Sequence, residues 1–405
     1  YQQRALDAIQ KSIKGSIYIP TGGGKTVVMQ EDAKQRIVNS TKPLTFVVVA
    51  PRILLSNQLC SEFEEYLKDF EVLYSHVHSG ETHHFSTTKS ELIAERNNNV
   101  KSLGAHHFIF TTYNSLERVN ESEIEIDVVY FDEAHHCVKP SNFVGIAHTS
   151  SVADNAYFFT ATPRINNSME SMNNVDVYGP NLISVPAKEL IAAGSIIPPR
   201  VHTYEAKTVR TKENAPFVDS DNIIGILSEI DDDDVPKVLV ASPSTKIIWD
   251  MFAESDLLNK LDELGFVVMH ITSKHGAYIG KKKVSREVFF EKMSEFGNDP
   301  NCKLIVFHYS ILSEGMNVHG LTHCIMLRNL PLIEMAQTIG RVIRLNKDDR
   351  KAIAEGKVKP GEFSFYKKPF GTITVPVQNA YGDKIAKQLQ IVVDTIFVKG
   401  EVLTT

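Results

Sequence analysis

Short apolar runs alternate with amphipathic stretches along this chain. In the first half the apolar runs are rich in β-branched and aromatic residues, as in Phe46-Val47-Val48-Val49-Ala50. Such runs, apolar on both faces, are typical of parallel strands covered by helices on either side. The predicted strands are Ser16–Pro20, Phe46–Ala50, His107–Thr112, Asp127–Phe131 and Ala156–Thr160, and the predicted helices include Thr26–Asn39 and Asn57–Asp69.

The alternation restarts in the second half, after a stretch with the features of a linker. That stretch contains Pro198-Pro199, an unpatterned segment near Thr208–Phe217 and the acidic run Asp231–Asp234, which is expected to be a solvated loop. The chain is therefore predicted to be α/β, with two domains built on parallel sheets, residues 1–197 and 198–405. The later predicted strands are Lys237–Ala241, Phe266–Ile271, Lys303–His308, His323–Leu327 and Gly371–Val377.

Composition is that of an ordinary globular protein. The 405 residues are 42% hydrophobic and 23% charged, and 43 basic against 49 acidic side chains leave a net charge of −6. This negative net charge does not indicate a polyanionic partner, although a local basic groove could still bind one. Four cysteines lack the spacing of a zinc site or a disulfide framework, and no apolar run is long enough to cross a bilayer. The four cysteines are Cys60, Cys137, Cys302 and Cys324.

A glycine-rich loop joins the first predicted strand to the next helix. Three glycines allow a tight turn whose N–H groups point inward, and the helix N-terminus adds the positive end of its dipole. A lysine then supplies charge for the β and γ phosphates of a nucleotide, and a threonine hydroxyl can bind Mg²⁺. The strict motif has glycine where this chain has Ile19; the structural alternative is a turn that binds nothing. The loop residues are Thr21, Gly22, Gly23, Gly24, Lys25 and Thr26.

Two adjacent carboxylates follow the buried run Val128–Phe131. Asp132 and Glu133 are expected at the C-terminal end of a strand, which is where open α/β sheets bind ligands. Asp132 is assigned to Mg²⁺, and Glu133 to the orientation and deprotonation of an attacking water. A solvated acidic pair is the structural alternative. His135 is expected to be a hydrogen-bond relay and not a metal ligand, because no cysteine or second ligand lies at the required spacing.

Asp132-Glu133-Ala134-His135 matches the signature of the DEAH/DExH group of superfamily 2 helicases, and other segments resemble further motifs of that family in the expected order. The resemblance covers both halves, from Tyr1 to about Leu345, and the family shares the missing glycine at position 19. Tyr1-Gln2 resembles the adenine-contacting segment, in a helix that a short N-terminal segment is expected to precede. The further resembling segments are Ala50-Pro51-Arg52, Thr111–Leu116, Thr160-Ala161-Thr162-Pro163, Ser313–Asn317 and Gln337–Arg344.

The resemblance implies two tandem RecA-like domains with ATP and Mg²⁺ in the cleft between them. It assigns Gln2, Gly315 and Asn317 to nucleotide binding, although many relatives carry aspartate at position 317. His135, Thr160 and Thr162 would couple hydrolysis to movement. Arg341 and Arg344, three residues apart and expected on one helical face with Gln337, would stabilise charge on the γ-phosphate. Surface arginines on an ordinary helix are the structural alternative.

The same resemblance predicts a nucleic-acid partner. Gly-Arg-Val-Ile-Arg at 340–344 is similar to DNA translocases and to phage-type recombination and branch-migration helicases. The predicted function is an ATP-dependent DNA helicase or translocase acting on forked or branched DNA, a monomer in the cytoplasm of a bacterial or phage-infected cell, or otherwise in a nucleus or nucleoid. An RNA helicase, the motor of a restriction–modification system and an inactive nucleotide-binding scaffold remain as alternatives, although the intact motif residues argue against the scaffold. The expected strand contacts are Arg52, Thr112, Ser242 and Ser310.

Overall fold

The structure, a computed structural model, describes residues 1–80, 82–231, 235–272, 274–309, 318, 320–377 and 380–401. The described chain divides into two compact units, residues 1–186 and 187–401. The division lies between Pro186 and Ala187, whereas the sequence prediction placed the boundary at Ile197. The predicted contributions of Ser310, Gly315 and Asn317 lie outside the described residues.

Unit 1 alternates strands and helices along its length. Its strands are β1 Lys14–Tyr18, β2 Thr45–Ala50, β3 Val72–Val77, β4 Phe85–Ser86, β5 His106–Thr112, β6 Val128–Phe131, β7 Asn155–Thr160 and β8 Asn181–Ser184. Its helices are α1 Gln2–Gln10, α2 Lys25–Asn39, α3 Ile53–Tyr66, α4 Ser90–Ser102, α5 Leu116–Asn120, α6 Pro140–Val152 and α7 Val175–Tyr178, with a 3-10 turn over Ala134–His136.

The eight strands of unit 1 that the structure describes form one sheet in which every pairing is parallel. Its order is β4-β3-β5-β2-β6-β7-β1-β8. The central strands are buried on both faces, and their aromatic residues stack across the sheet, as Phe131 does on Phe158 with ring centroids 4.5 Å apart. Because the strands are parallel, the loops after β1, β2, β5, β6 and β7 all emerge at one edge. That edge carries the sequence motifs of the first half.

Unit 2 has the same alternation with two additions, a hairpin and a C-terminal helical segment. Its strands are β9 Pro199–Glu205, β10 Lys237–Ala241, β11 Phe266–Thr272, β12 Gly276–Ile279, β13 Lys282–Val284, β14 Lys303–His308, β15 His323–Met326 and β16 Gly371–Val377. Its helices are α8 Ala187–Ala192, α9 Ala215–Leu227, α10 Thr245–Glu254, α11 Leu257–Glu263, α12 Arg286–Asn298, α13 Leu332–Val342, α14 Lys347–Ala354 and α15 Ala380–Val392. A 3-10 turn at Phe363–Phe365 lies between α14 and β16, and a π-helical segment, Val393–Lys399, follows α15.

The second sheet follows the order β13-β12-β11-β14-β10-β15-β16-β9. Its strands from β11 to β9 pair in parallel, which confirms the α/β prediction. At one edge of this sheet β12 and β13 return as an antiparallel hairpin, which the sequence did not predict. These strands have four and three residues, too short for an apolar periodicity to reveal them.

Candidate active site

The phosphate loop of unit 1 begins after β1 and ends at the first residue of α2. Gly24 is the N-cap of α2 and has a left-handed backbone with φ 77°. A Cβ at this position would lie 2.6 Å from the Nε2 atom of Gln2, the movable end of a side chain, so it is the backbone angle that favours glycine here. Gln2, predicted to contact the nucleotide, therefore lies directly against the loop. The predicted loop, helix start and Gln2 segment thus meet at one place.

Lys25 connects the loop to the acidic pair. It is the first residue of α2 and is buried, with its Nζ 3.6 Å from Oε1 of Glu133. The first N–H groups of a helix lack partners within the helix, so they and the ammonium group both face a potential anion. Thr26 follows on α2 and is half-buried. The structure thus brings the predicted phosphate ligands beside the predicted catalytic carboxylate.

Asp132 and Glu133 leave the end of β6 in different backbone conformations. The Asp132 amide continues the sheet by donating to the Val49 carbonyl at 2.9 Å. Glu133 has φ 48° and ψ 51°, a left-handed conformation that is uncommon for any residue except glycine. Such strain persists where the surroundings impose it, and it often marks functional sites. Both carboxylates are buried, so they are removed from bulk water.

Burial, and next to it the charge of Glu133, raises the pKa of Asp132 to about 7, while Lys25 opposes the shift. Two buried carboxylates beside one lysine leave an excess of negative charge that a divalent cation would neutralise. Among the described residues, no group of three or more His, Cys, Asp or Glu side chains is arranged to hold a metal. Mg²⁺ usually needs only one or two protein ligands besides phosphates and water, so Asp132 and Thr26 fit it.

Glu133 carries a buried oxygen that suits a further donor. Its Oε2 accepts no hydrogen bond from any group that the structure describes. The Nδ1 atom of His135 lies 3.5 Å from this oxygen. A buried carboxylate oxygen without a donor is costly, and a water held for attack on a phosphate would satisfy it. The geometry is therefore compatible with the water-orienting role predicted for Glu133.

A short chain of hydrogen bonds joins His135, which follows the acidic pair in sequence, to β7. The Nδ1 atom of His135 is 3.1 Å from Oγ1 of Thr160, and the Thr162 amide donates to the same Oγ1 at 3.1 Å. The three residues predicted to couple hydrolysis to movement are thus in contact through hydrogen bonds. Their coupling role stays a prediction.

Tyr113 supplies a second link that the sequence analysis missed. Its hydroxyl donates to the Asp132 carbonyl at 2.7 Å, and its amide donates to the Ala50 carbonyl at 3.1 Å. Tyr113 therefore joins the segment after β5 to both the segment after β2 and the acidic pair. The signal in the sequence was a tyrosine directly after a buried strand, but its partner could not be identified without the strand order.

The predicted strand contacts differ in how much surface they expose. Ala50 and Thr112 are opposite each other in the β2–β5 pairing, so Arg52 and Thr112 lie at the same sheet edge. Arg52 is half-buried at the N-cap of α3, whereas Thr112 is only 5% exposed. In unit 2, Ser242 is 0% exposed, which argues against a direct phosphate contact by its hydroxyl.

In unit 2, Gln337 and Arg341 lie four residues apart on α13, as predicted, and both are buried. Burial, and then the charges of Arg341 and Arg328, lower the pKa of His308 to about 3, so this imidazole at the end of β14 is neutral. Arg341 thus lies close to the last residue of a central strand.

The prediction that Arg344 shares the helical face of Arg341 is wrong. The helix α13 ends at Val342, and Arg344 forms an isolated antiparallel bridge with Ile196. The Ile343 carbonyl accepts a hydrogen bond from the Ile197 amide at 2.9 Å, outside any helix. Carbonyl partners beyond the helix end draw the chain into an extended form before Arg344 is reached.

The first part of the chain matches the model of a known protein family. Residues 1–165 match the family model described as "Type III restriction enzyme, res subunit". No curated protein sequence matches the chain. None of the helices in the described ranges is long and apolar enough to cross a membrane.

Three solved structures resemble the chain over nearly all of its length. The ATP-dependent Type ISP restriction-modification enzyme LlaBIII bound to DNA has 15% identity and a TM-score of 0.70, covering 98% of this chain and 29% of that one. A nuclease-deletion mutant of the Type ISP enzyme LlaGI in complex with a DNA substrate mimic has 18% identity and a TM-score of 0.64, covering 98% and 28%. A variant of S. cerevisiae Dbp5 bound to RNA and ADP BeF3 has 14% identity and a TM-score of 0.57, covering 97% and 93%.

This chain therefore spans less than a third of each of the two restriction enzymes, and nearly the whole of the Dbp5 chain. At identities of 14 to 18% the likeness concerns the fold. It shows that the α/β chain consists of two tandem RecA-like domains.

Proposed function

We propose that this chain is an ATP-hydrolysing motor that moves along DNA. The observation that carries the proposal is the approach of Lys25 Nζ to Glu133 Oε1, 3.6 Å apart, at the junction of a glycine-rich loop and a strained strand end. The contact places a phosphate-binding lysine next to a buried carboxylate that can orient a water and accept its proton. This arrangement serves phosphoryl transfer to water.

The residues of unit 1 divide the work. The loop amides and Lys25 bind the β and γ phosphates, and Gln2 contacts the nucleotide beside Gly24. Asp132 and Thr26 hold Mg²⁺, which when bound neutralises charge on the phosphates. Glu133 orients the attacking water and accepts its proton.

The residues of unit 2 supply positive charge to the transition state. In this proposal Arg341 and Arg344 stabilise the charge that develops on the γ-phosphate, and Gln337 contacts the phosphate or the water. His135, Thr160 and Thr162 transmit the state of the nucleotide from the acidic pair to β7. Hydrolysis would thereby change the conformation of the motor and move it along its track.

DNA is the proposed track because of the comparisons with known proteins. The family model that matches residues 1–165 is named for restriction enzymes, and both similar Type ISP enzymes were solved with DNA or a DNA mimic. Movement on DNA would also remodel forks and branched junctions. The second candidate is the motor part of a restriction–modification system, whose nuclease or methyltransferase lies elsewhere; co-purification of a methyltransferase would support it.

The test is ATP hydrolysis measured with duplex DNA, single-stranded DNA, forked DNA and RNA as cofactors. We expect DNA to increase the rate at least severalfold and RNA to have little effect. Strong stimulation by RNA with none by DNA would overturn the DNA assignment and favour an RNA motor, which the likeness to RNA-bound Dbp5 also permits. Absence of hydrolysis under every condition would overturn the motor itself.

A further inference from the structure

The hairpin β12–β13 places a basic edge beside an aromatic surface on unit 2. Trp249 on α10 stacks on His275 with ring centroids 4.4 Å apart and an interplanar angle of 14°, and it meets Tyr278 of β12 edge-on at 6.0 Å. In spite of these contacts Trp249 remains 37% exposed. An exposed indole held by neighbouring rings is a surface on which a flat, unpaired base can stack.

A column of rings anchors this surface in the core. Tyr278 stacks on His270 at 4.7 Å, His270 stacks on Phe252 at 4.9 Å, and Phe252 meets the fully buried Phe307 at 4.9 Å. Burial, and next to it the charge of His275, lowers the pKa of His270 to about 4, so the column contains a neutral imidazole. The rings at its outer end are therefore fixed in place before any partner binds, which reduces the entropy lost on binding.

Lys283 brings a positive charge to the same face. It pairs directly with Tyr278 in the β12–β13 ladder, so the two side chains share one face of the hairpin. A Cβ at Gly276 would lie 3.2 Å from its Cε, so the aliphatic part of Lys283 crosses the backbone next to His275. Lys282 pairs with Ile279 and projects from the opposite face.

Within the described ranges, no acidic side chain forms an ion pair with the basic residues on or beside the hairpin. These residues are Lys274, Lys281, Lys282, Lys283 and Arg286, and all are exposed. Asp250, the neighbour of Trp249 in sequence, is buried and paired with Lys246 at 2.5 Å. A chain with a net charge of −6 thus has one concentrated basic edge. Lysines on an edge strand can also serve only to prevent edge-to-edge aggregation, and the experiment below separates the two roles.

We propose that Trp249, His275, Tyr278 and Lys283 form a docking surface for single-stranded nucleic acid, which we call the Trp249 face. Lys283 binds a backbone phosphate, and the exposed part of the Trp249 indole stacks on a base. This inference rests on the proposed nucleic-acid partner. It adds a contact outside the sequence motifs.

Trp249 is the only tryptophan of the chain, so its fluorescence reports on this surface alone. The full chain without nucleotide is titrated with an oligothymidylate while binding is followed independently by the anisotropy of a labelled strand. We expect tryptophan fluorescence to be quenched in parallel with binding. Heparin, a polyanion without bases, should bind through charge and leave the emission nearly unchanged.

Two lysine variants form a matched pair for the charge contact. Lys283→Gln should reduce the dependence of log affinity on log salt by about 0.7, the loss of one phosphate contact on a single strand. Lys282→Gln removes the same charge from the other face and should leave the slope unchanged. Trp249→Phe should keep most of the affinity, and Trp249→Ala should weaken binding about tenfold.

Unchanged fluorescence in a strand-saturated protein would overturn the inference, as would equal slopes for the two lysine variants. In either case DNA-stimulated hydrolysis by the unmodified chain would still stand, so the motor assignment would survive. Aggregation of both lysine variants with unaltered affinity would instead assign the hairpin to protection of the sheet edge.

Discussion

At the residue scale, Glu133 combines a strained backbone with a buried and incompletely satisfied carboxylate. A left-handed conformation at a residue other than glycine costs on the order of 1–3 kcal/mol, and Glu133 pays it at the end of β6. The only other such residue in the described ranges is Glu123, which is exposed and remote from the phosphate loop in the sequence. Glu133 and Glu123 therefore allow a comparison between a strained residue at the proposed site and a strained residue in an exposed turn.

Glu133→Gln should abolish ATP hydrolysis, with a loss of about a hundredfold or more, because the amide cannot accept a proton from water. ATP binding should persist, since the loop and Lys25 are untouched. Glu123→Gln has the same chemistry on the same kind of backbone and should hydrolyse ATP normally. Rates are measured by phosphate release, and binding by a fluorescent ATP analogue. Normal turnover in Glu133→Gln would contradict the assigned role.

The Tyr113 hydroxyl allows a second test, because it donates to the backbone carbonyl of Asp132. Tyr113→Phe should lower the free energy of unfolding by about 1 kcal/mol and reduce the stimulation of hydrolysis by DNA more than the basal rate. Tyr178→Phe removes a similar bond, from Tyr178 to the Glu170 carbonyl at 2.8 Å, away from the acidic pair. It should cost similar stability and leave DNA stimulation intact. Equal loss of stimulation in both variants would show that the bond from Tyr113 to Asp132 has no specific part in the response to DNA.

The residue scale also shows how far the sequence could predict the site. Lys25, Asp132 and Glu133 were identifiable because each belongs to a local motif that follows an apolar run. The bond from Tyr113 to Asp132 joins the residues directly after β5 and β6, and these two strands lie on either side of β2 in the sheet. Its existence depends on strand order, and no local pattern encodes that order.

At the scale of elements, a buried lysine from a later segment, Lys368, caps the C-terminal end of α13. Nζ of Lys368 donates to the carbonyls of Val342 at 2.5 Å and Arg344 at 2.9 Å, and also to that of Leu321. An N–H donor at a helix C-terminus satisfies carbonyls that have no partner within the helix. Lys368 therefore fixes the segment on which Arg341 and Arg344 lie.

Lys368→Met should lower the free energy of unfolding by about 2 kcal/mol, since buried carbonyls lose their donor. Lys367→Met is the matched control: the neighbouring lysine is exposed and pairs with Asp348 on the surface, so its loss should leave stability unchanged. Chemical denaturation of both variants measures the difference. Equal stability of Lys368→Met and the unmodified chain would exclude the capping role.

Burial, with the charge of Arg344 as the next cause, lowers the pKa of Lys368 to about 7 from an ordinary value of 10.5. Between these values the unfolded chain binds the proton and the folded chain does not, so stability should rise with pH relative to Lys368→Met. The upper limit is about 1.4 kcal/mol per pH unit. Unfolding curves at pH 7 and pH 9 measure the trend. A constant or falling difference would contradict the shift.

Elements defined by long apolar runs were predictable, and those defined by tertiary contacts were not. The central strands β2 and β10 are buried throughout, so their sequences carry a strong signal. The end of α13 depends on Lys368 and on Ile197, both remote from it in sequence. The hairpin β12–β13 combines two exposed lysines with mostly half-buried residues and takes its form from pairing with β11.

At the scale of the whole molecule, the two units repeat one design without visible sequence repetition. Each has a sheet whose central strands are parallel, and the first sheet carries Asp132 directly after β6. Parallel strands buried on both faces require helical crossovers, so the alternation along the chain was enough to predict the fold class. The proposed nucleic-acid partner was not predictable from this alternation or from the net charge, because the net charge is negative and the basic edge is local.

The central claim is that ATP hydrolysis moves this chain along DNA, and displacement of a triplex-forming strand from duplex DNA tests it most directly. The assay detects movement without requiring strand separation. The unmodified chain should displace the third strand only when ATP and Mg²⁺ are present, and Glu133→Gln should bind the DNA but displace nothing. Continued DNA-stimulated hydrolysis with no displacement, or displacement by Glu133→Gln equal to that of the unmodified chain, would contradict the account.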